Sequence, residues 1–293
     1  MAKRKPKKPS NVVPLESPNL QLSNASKLTK VRHRNGINLT FAKMPMAAKK
    51  VLFLMMAQCD TKEAFGKDVS IRVTAEDYAR LCGIEKVTAY EQLKIAAIQL
   101  QQQVFEVPKN ELLPLIPRTP KEALAIGKNG KISDNDDDIV RMFNVTQWVD
   151  YSYDSGYIEL SPSRQMEPYI MAINKDFTTQ SLIVTLQFSD KNVSNMYQFI
   201  CECMSSKYSP AFKDITVDDL KEKLGLFKTR YNKKIYAYPD YPIFKRNIIN
   251  RSIKVINNQT QLKIACEVVG KLGRKAHVLR FSYSVDEQLK LDI

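Results

Sequence analysis

Two short segments of the chain repeat the same pattern of helix start and helix stop. They cover residues 73–84 and 215–226, lie 142 positions apart and share three of twelve aligned residues. In each segment a threonine, Thr74 or Thr216, is followed three positions later by an acid, which suits a helix start because both side chains can satisfy free backbone amides. A glycine then suits the left-handed turn after the helix ends. Since a short capped helix that turns on glycine is the first half of a helix-turn-helix, the sequence predicts two such units.

The elements predicted around the two segments come in the same order. In the first half these are helices over 46–59, 75–82 and 86–103 and hairpin strands over 139–149 and 157–160. In the second half they are helices over 193–204, 217–224 and 241–258 and strands over 262–269 and 277–284. Three helices closed by a β-hairpin make a winged helix. The sequence therefore predicts an α+β fold of two tandem winged-helix domains related by duplication.

The length of 293 residues suits about two domains. We predict a disordered basic tail over 1–35, an N-terminal winged-helix domain over 36–162 and a C-terminal one over 163–293. The stretch 108–138 is rich in proline and glycine and ends in the acidic run 134–138. Because long structureless loops are uncommon inside a compact domain, this stretch is predicted to be a loop inserted at a hairpin tip.

The positive charge of the chain is concentrated at its start and in its second half. The net charge is +14, of which residues 1–35 carry +8 and residues 205–280 carry +11, whereas residues 36–204 carry −3. A basic balance indicates polyanionic partners, with nucleic acid first. The second repeated segment thus lies in a strongly basic region and the first in a slightly acidic one.

The helix predicted over 241–258 carries the most specific chemical pattern. At about 100° per residue, its apolar residues fall on one side and leave a polar side without acids. That side consists of Arg246, Asn247, Asn250, Arg251, Lys254, Asn257 and Asn258. Arginine and lysine can bind O6 and N7 of guanine, and asparagine can bind N6 and N7 of adenine, in the major groove. Solvated helix faces usually mix charge signs, so the absence of acids favours docking on double-stranded DNA.

Further cations flank this helix and are predicted to contact phosphates, which positions a protein without reading sequence. They are Lys245 near the helix start, Arg230, Lys233 and Lys234 before it, and Lys271, Arg274 and Lys275 at the tip of the second hairpin. Three nearby tyrosines, Tyr231, Tyr236 and Tyr238, are interpreted as packing residues rather than base-stacking groups.

The corresponding helix of the first half, over 86–103, is a poorer base reader. Its predicted outer face offers Thr88 and Lys94 to DNA, beside a glutamate and two isoleucines, Ile95 and Ile98. Isoleucines on an outer face suit contact with protein as well as with DNA. We predict a weak DNA contact through Thr88 and Lys94 and a dimer interface through Ile95 and Ile98.

No pattern for catalysis, a cofactor or a metal is found in the sequence. The two histidines, His33 and His277, form no metal-binding pair, and a GxxxxGKS/T phosphate loop is absent. The five cysteines lack paired CxxC spacing, which indicates reduced, buried thiols of a cytoplasmic protein. No window has the roughly 18 apolar residues of a membrane span, and the basic residues 1–9 lack the apolar run of a secretory signal. We therefore predict a protein that is not an enzyme, with no cofactor and no membrane partner.

Four stretches of the chain resemble the replication initiator (Rep) proteins of iteron-containing bacterial plasmids. They are 52–60 with 73–84; the wing-like Tyr153-Asp154-Ser155-Gly156-Tyr157-Ile158-Glu159-Leu160-Ser161; 215–226; and 241–260, with Phe244, Lys245, Arg246, Asn250, Ile253, Ile256 and Thr260. Their order and spacing span most of residues 45–285. The chain departs from the family at Asn195, where an arginine is common two residues before Tyr197, and in the long insertion 108–138. One phosphate contact of the family is therefore in question, and no role is carried over to the insertion.

The resemblance implies a fold of two winged-helix domains and a function in plasmid replication. Such a protein binds tandem direct repeats at a plasmid origin as a monomer, helps to open the duplex and recruits the host initiator and the replicative helicase. As a dimer, joined through the first winged helix, it represses its own promoter at an inverted repeat. It acts in the bacterial cytoplasm on plasmid DNA. Two alternatives are open: a dedicated winged-helix transcriptional repressor, and a DNA-processing enzyme such as a nickase or primase.

Overall fold

The protein is described here by a computed structural model. It covers residues 22–25, 29–59, 69–129, 139–152, 154–171, 173, 175–205, 211–231 and 233–285. Most of the predicted tail and the acidic run 134–138 lie outside these residues.

The chain folds into short helices and antiparallel strands. The helices of the first half are α1 (Asn38–Lys43), α2 (Met46–Gln58), α3 (Ala75–Cys82), α4 (Lys86–Gln101), α5 (Pro120–Asn129), α6 (Glu167–Ile170) and α7 (Leu182–Gln187). Those of the second half are α8 (Lys191–Met204), α9 (Val217–Lys223), α10 (Tyr241–Phe244) and α11 (Arg251–Gln259). A π-helical stretch, Lys245–Asn250, joins the last two into one continuous helix, named the 241–259 helix below.

The strands of the first half are β1 (Lys30–Arg34), β2 (Ile71–Thr74), β3 (Val104–Pro108), β4 (Val140–Asn144), β5 (Thr146–Ser152), β6 (Tyr157–Pro162) and β7 (Phe177–Ser181). Those of the second half are β8 (Phe212–Thr216), β9 (Phe227–Arg230), β10 (Lys233–Tyr236), β11 (Leu262–Leu272) and β12 (Lys275–Val285).

Both halves have the same sheet topology. In the first half the strand order is β2-β6-β5, and in the second half it is β8-β12-β11, with antiparallel pairing throughout. In each half one helix, α2 or α8, comes before the first strand of this three-stranded sheet, two helices follow that strand, and the other two strands of the sheet form the wing. The predicted α+β fold of two winged helices in the same order is confirmed.

The caps that define the repeated segments are formed in both copies. The Oγ1 atoms of Thr74 and Thr216 accept hydrogen bonds from the backbone amide three residues ahead, each with an N···O distance of 3.1 Å. Gly83 and Gly225 follow the helices at φ values of 67° and 69°, which are readily accessible only to glycine. The resemblance of the two segments is thus one of backbone conformation as well as of sequence.

A strand lies inside the segment that was predicted to be a disordered tail. β1 pairs antiparallel with β7, and its alternate residues Val31 and His33 are buried. Tail composition was misleading here because the strand depends on a partner about 147 positions further along the chain. The prediction of disorder for 1–35 is therefore wrong for residues 30–35.

The 108–138 insertion contains regular structure as well as loop. The helix α5 lies within this stretch, and it is anchored where Arg164 Nη2 donates to Glu122 Oε2 at 2.9 Å. Arg118 also donates to the buried Glu167 of α6. The prediction of a loop thus fails over α5, because these contacts to residues beyond the insertion were not visible as a local pattern.

The division between the two hydrophobic cores falls later than residue 162. Met166, Leu182 and Leu186 are buried in the first core, and the second core begins at Phe188. The physical reason is the pairing of β7 with β1, which draws the segment between β6 and α7 onto the first domain.

A buried polar cluster joins the two domains. Lys49 of α2 is 1% exposed, and its Nζ donates to Oδ1 of Asn195 on α8 at 3.0 Å. Asn195 Nδ2 in turn donates to the carbonyl oxygens of Ala42 (2.8 Å) and Leu224 (3.0 Å). A Cβ on Gly225 would lie 3.2 Å from the Ala42 backbone. Asn195, at the position where the resemblance implied an arginine, is therefore a buried link between the domains.

The buried ammonium of Lys49 makes stability depend on pH. Burial lowers the pKa of Lys49 from 10.5 to about 7. Between these values the unfolded chain still binds the proton and the folded chain does not, so this residue's contribution to stability rises with pH. We expect the difference in unfolding free energy, wild type minus Lys49→Met, to rise by about 2 kcal/mol from pH 7 to pH 9. Urea denaturation of both proteins measures it; a difference that is flat or falls would contradict a desolvated ammonium.

Candidate nucleic-acid interface

The 241–259 helix packs on α8 and β11 and exposes most of its predicted polar face. Its buried residues are Phe244, Ile248, Ile249, Ser252 and Ile256. Its exposed polar residues are Arg246, Asn247, Asn250, Arg251, Lys254 and Asn258, and Lys245 is half-buried. The π-helical stretch carries Arg246, Asn247 and Asn250; such stretches are rare and occur frequently at functional sites.

One asparagine of the predicted face serves the fold instead. Asn257 Nδ2 donates to the carbonyl oxygen of Ile264 at 3.0 Å, and its Oδ1 accepts from the Ile264 amide at 2.8 Å. These two bonds join the end of the 241–259 helix to β11. Asn257 therefore orients the wing relative to the helix.

One cation of the face is already paired with an acid from another element. Arg251 Nη2 lies 2.9 Å from Asp190 Oδ2, and the other Asp190 oxygen caps α8 through the Asn192 amide at 2.8 Å. The helix itself has no acid, so its sequence gave no sign of this contact. The Arg251 side chain remains 64% exposed, and an exposed ion pair of this kind is weak enough to exchange for a phosphate.

The hairpin β9–β10 lies between the two helices of the second helix-turn-helix, and one of its faces is basic. Directly opposed residues of an antiparallel pair share a face. Arg230 is opposite Lys233, and two residues away Lys228 is opposite Ile235. All four are exposed. Lys228 is a cation that the sequence prediction missed: its spacing of two from Arg230 places both on one strand face, but no strand was predicted there.

The other face of this hairpin is attached to the protein. Lys234 Nζ and the Tyr236 hydroxyl each donate to Glu222 of α9 at 2.6 Å. Lys43 of the first domain lies 4.6 Å from the centre of the Phe227 ring. Lys234, which was predicted to contact phosphate together with Lys233, therefore points to the opposite face from Lys233.

The second wing is long and basic at its tip. Lys271, Arg274 and Lys275 are exposed around Gly273, which has a φ of 60°. With a rise of about 3.3 Å per residue, this tip lies roughly 25 Å along β11 from Ile264, the residue bonded to the 241–259 helix. That length is about twice the ~12 Å width of the DNA major groove, so the wing can reach the backbone beside the groove that the helix would enter.

The first domain presents a different surface. On α4, Lys94 is exposed and Thr88 is half-buried, while Ile95 and Ile98 are 48% and 55% exposed. The tip of the first wing carries the exposed Asp154 where the second wing carries three cations. The two domains thus share a fold but differ in the charge that they offer to DNA.

Other kinds of site find no support in the described parts of the chain. Within those ranges no cluster of three or more His, Cys, Asp or Glu side chains could hold a metal ion. None of the helices described is long and apolar enough to cross a membrane. The five cysteines are free, and burial raises the pKa of Cys82 to about 11 and of Cys201 to about 12, which keeps these thiols protonated.

The fold and this surface define a DNA-binding protein with two winged-helix domains. Residues 30–201 match the sequence model of the family described as "Initiator Replication protein, WH1", and residues 216–283 match "Initiator Rep protein, WH2". The chain is also 34% identical over 271 residues to the PI protein of Escherichia coli, covering 91% of this chain and 86% of that protein. The chain belongs to the family of replication initiator (Rep) proteins of iteron-containing plasmids.

A solved relative extends the likeness to the whole architecture. The crystal structure of Pi initiator protein in complex with iteron DNA is 34% identical and superposes with a TM-score of 0.73, covering 90% of this chain and 100% of that one. The family match over the first domain begins at residue 30, where β1 begins. The family resemblance predicted from four short stretches is confirmed.

Proposed function

We propose that this chain is a non-enzymatic initiator that binds the direct repeats of a plasmid origin as double-stranded DNA. The observation that carries the proposal is the exposed face of Arg246, Asn247, Asn250 and Lys254 on the third helix of a winged-helix domain. The relative solved on iteron DNA supports the choice of ligand. Arg246 and Asn250 are the side chains best suited to bind guanine and adenine edges.

The remaining cations hold the DNA backbone in this proposal. They are Lys245, Arg251, Arg230 and Lys233, the wing-tip residues Lys271, Arg274 and Lys275, and, more weakly, Lys94 of the first domain, beside which the Thr88 hydroxyl can also donate to a phosphate. Such contacts raise affinity for any sequence and make it dependent on salt. Lys234 contributes little, because Glu222 engages it on the other face of the hairpin.

Self-association through the first domain completes the proposal. Val87, Ile95 and Ile98 of α4 are 72%, 48% and 55% exposed, an apolar surface that a second copy could cover with two-fold symmetry. The monomer would bind direct repeats, and the dimer would bind an inverted repeat at its own promoter. Recruitment of a host initiator and the replicative helicase, in the bacterial cytoplasm, is proposed from the family alone.

Replacing the proposed base readers should change sequence preference. We expect Arg246→Ala or Asn250→Ala to lose about 1–3 kcal/mol of binding and to relax preference at one base position. Binding is measured by fluorescence anisotropy on a duplex that the wild-type chain selects from a random pool and on its single-base variants. Replacing a proposed phosphate contact should have a different effect. Arg274→Ala should weaken binding to all sequences evenly and lower the slope of log affinity against log salt concentration by about 1.

Asn257→Ala is the matched control for the base readers on the same helix. It should lower the unfolding free energy by about 1–3 kcal/mol through loss of the two bonds to Ile264, with base preference unchanged. Sequence-independent binding by the wild type, or unchanged preference in both reader variants, would contradict the assignment of the readers.

The proposed dimer interface predicts a shift in self-association. We expect the Ile95→Glu and Ile98→Glu pair of substitutions to raise the dimer dissociation constant at least tenfold, because two charges would be buried without partners. Sedimentation equilibrium measures it, and thermal unfolding confirms that the monomer stays folded. Lys94→Glu, beside the apolar residues, is the control for added charge; equal effects of the two variants would argue against an apolar interface.

The alternative of a dedicated repressor shares the same DNA surface, so only a replication assay separates the two. A plasmid that carries the origin repeats without their initiator gene should be maintained when this chain is supplied in trans. Loss of the plasmid, with repression of the promoter retained, would favour the repressor.

A further inference from the structure

Tyr231 lies in the two-residue loop between the paired Arg230 and Lys233, and such a tight hairpin turn requires a positive φ. The turn explains the backbone conformation but not the choice of tyrosine, which no packing contact explains either. Tyr231 follows β9 directly, has a φ of 50° and is 86% exposed. A bulky side chain is strained in this region, whereas glycine and asparagine adopt it readily. Tyr238, which also has a positive φ of 55°, is half-buried with its ring 6.4 Å from that of Phe244. The interpretation of Tyr231 as a packing residue is therefore wrong.

The ring lies at the end of the basic face of the hairpin β9–β10. The Arg230 guanidinium is 5.4 Å from the ring centre, and Lys233 is opposite Arg230 across the hairpin. Lys228 continues the same face two residues away. Within the described part of the chain, no acid forms an ion pair with any of these three cations. This face thus combines available positive charge with an exposed aromatic surface.

Contacts on the other side of the hairpin fix the orientation of this basic face relative to the second domain. Its two strands are inserted between α9 and the 241–259 helix, and its other face is bonded to Glu222 through Lys234 and Tyr236. A small ribbon anchored on one side presents the opposite side to a partner in a defined orientation. A polyanion with apolar surface between its charges fits such a face, and the sugar–phosphate backbone of DNA has that chemistry.

We propose that the hairpin β9–β10 is a second DNA-contacting element beside the 241–259 helix, an inference that rests on the proposed function. Lys228, Arg230 and Lys233 bind phosphates of the duplex. The ring of Tyr231 lies against the deoxyribose between them. The contact adds affinity without base preference, because sugars and phosphates are the same at every position. The strained backbone at Tyr231 is retained for the ring, since an asparagine there would fold at least as well.

Tyr231→Asn tests this directly, because it removes the ring and keeps a residue that accepts the left-handed conformation. We expect its Tm to equal or exceed that of the wild type. We expect its affinity to fall about two- to tenfold, by the same factor on the selected duplex and on a scrambled one. Tyr231→Phe should bind as the wild type does. Lys228→Ala should lower the salt slope by about 1, and Lys213→Ala, a control at an exposed lysine of β8, should leave the slope unchanged.

Failure of this inference is distinct from failure of the proposed function. If the wild type prefers its selected duplex but Tyr231→Asn and Lys228→Ala bind it equally well, the hairpin contact is wrong and the initiator proposal stands. If the wild type shows no preference between the two duplexes, the proposed function fails. A lower Tm in both Tyr231→Asn and Tyr231→Gly would identify the ring as a packing group and overturn the inference.

Discussion

A buried polar contact between Lys49 and Asn195 joins the two domains. Burying an ammonium is costly unless its donors are satisfied, and one bond to Asn195 offsets only part of that cost, since burial still lowers the pKa of Lys49 to about 7. Asn195 also binds backbone carbonyls on both sides of the interface. The Gln198 side chain of α8 also donates to the Asn38 carbonyl of α1 at 2.9 Å, so buried polar contacts join the two domains at more than one point.

The two domains share one winged-helix fold, but they differ in their inserted segments and in the residues on their surfaces. Both domains have the same threonine cap, glycine turn and strand order, yet they are extended at different points. The first domain gains β3, α5 and β4 between its third helix and its wing, whereas the second gains β9 and β10 between its second and third helices. The added ribbon of the second domain carries cations toward the proposed DNA side. The first domain keeps apolar residues on α4 and an acid at its wing tip.

Sequence patterns correctly predicted the features that depend on residues close together in the chain. The bounds of α3 and the exposed polar face of the 241–259 helix follow from capping residues and helical periodicity, which involve neighbours within a few positions. Two features depended on distant partners and were missed: the pairing of β1 with β7 and the ion pair of Arg251 with Asp190. The opposite orientations of Lys228 and Lys234 were missed because the local hairpin β9–β10 was not predicted. The exposure and positive φ of Tyr231 were missed because tyrosine is usually a packing residue and is not typical of that backbone conformation.

The central claim is that the second domain reads sequence and the first contributes affinity alone. The most direct measurement is the binding of the wild type and a Thr88→Ala, Lys94→Ala double variant to every single-base variant of the selected duplex. The account predicts two profiles of the same shape, with the variant uniformly weaker. A loss of preference at particular base positions in the double variant would contradict it, because the first domain would then read bases itself.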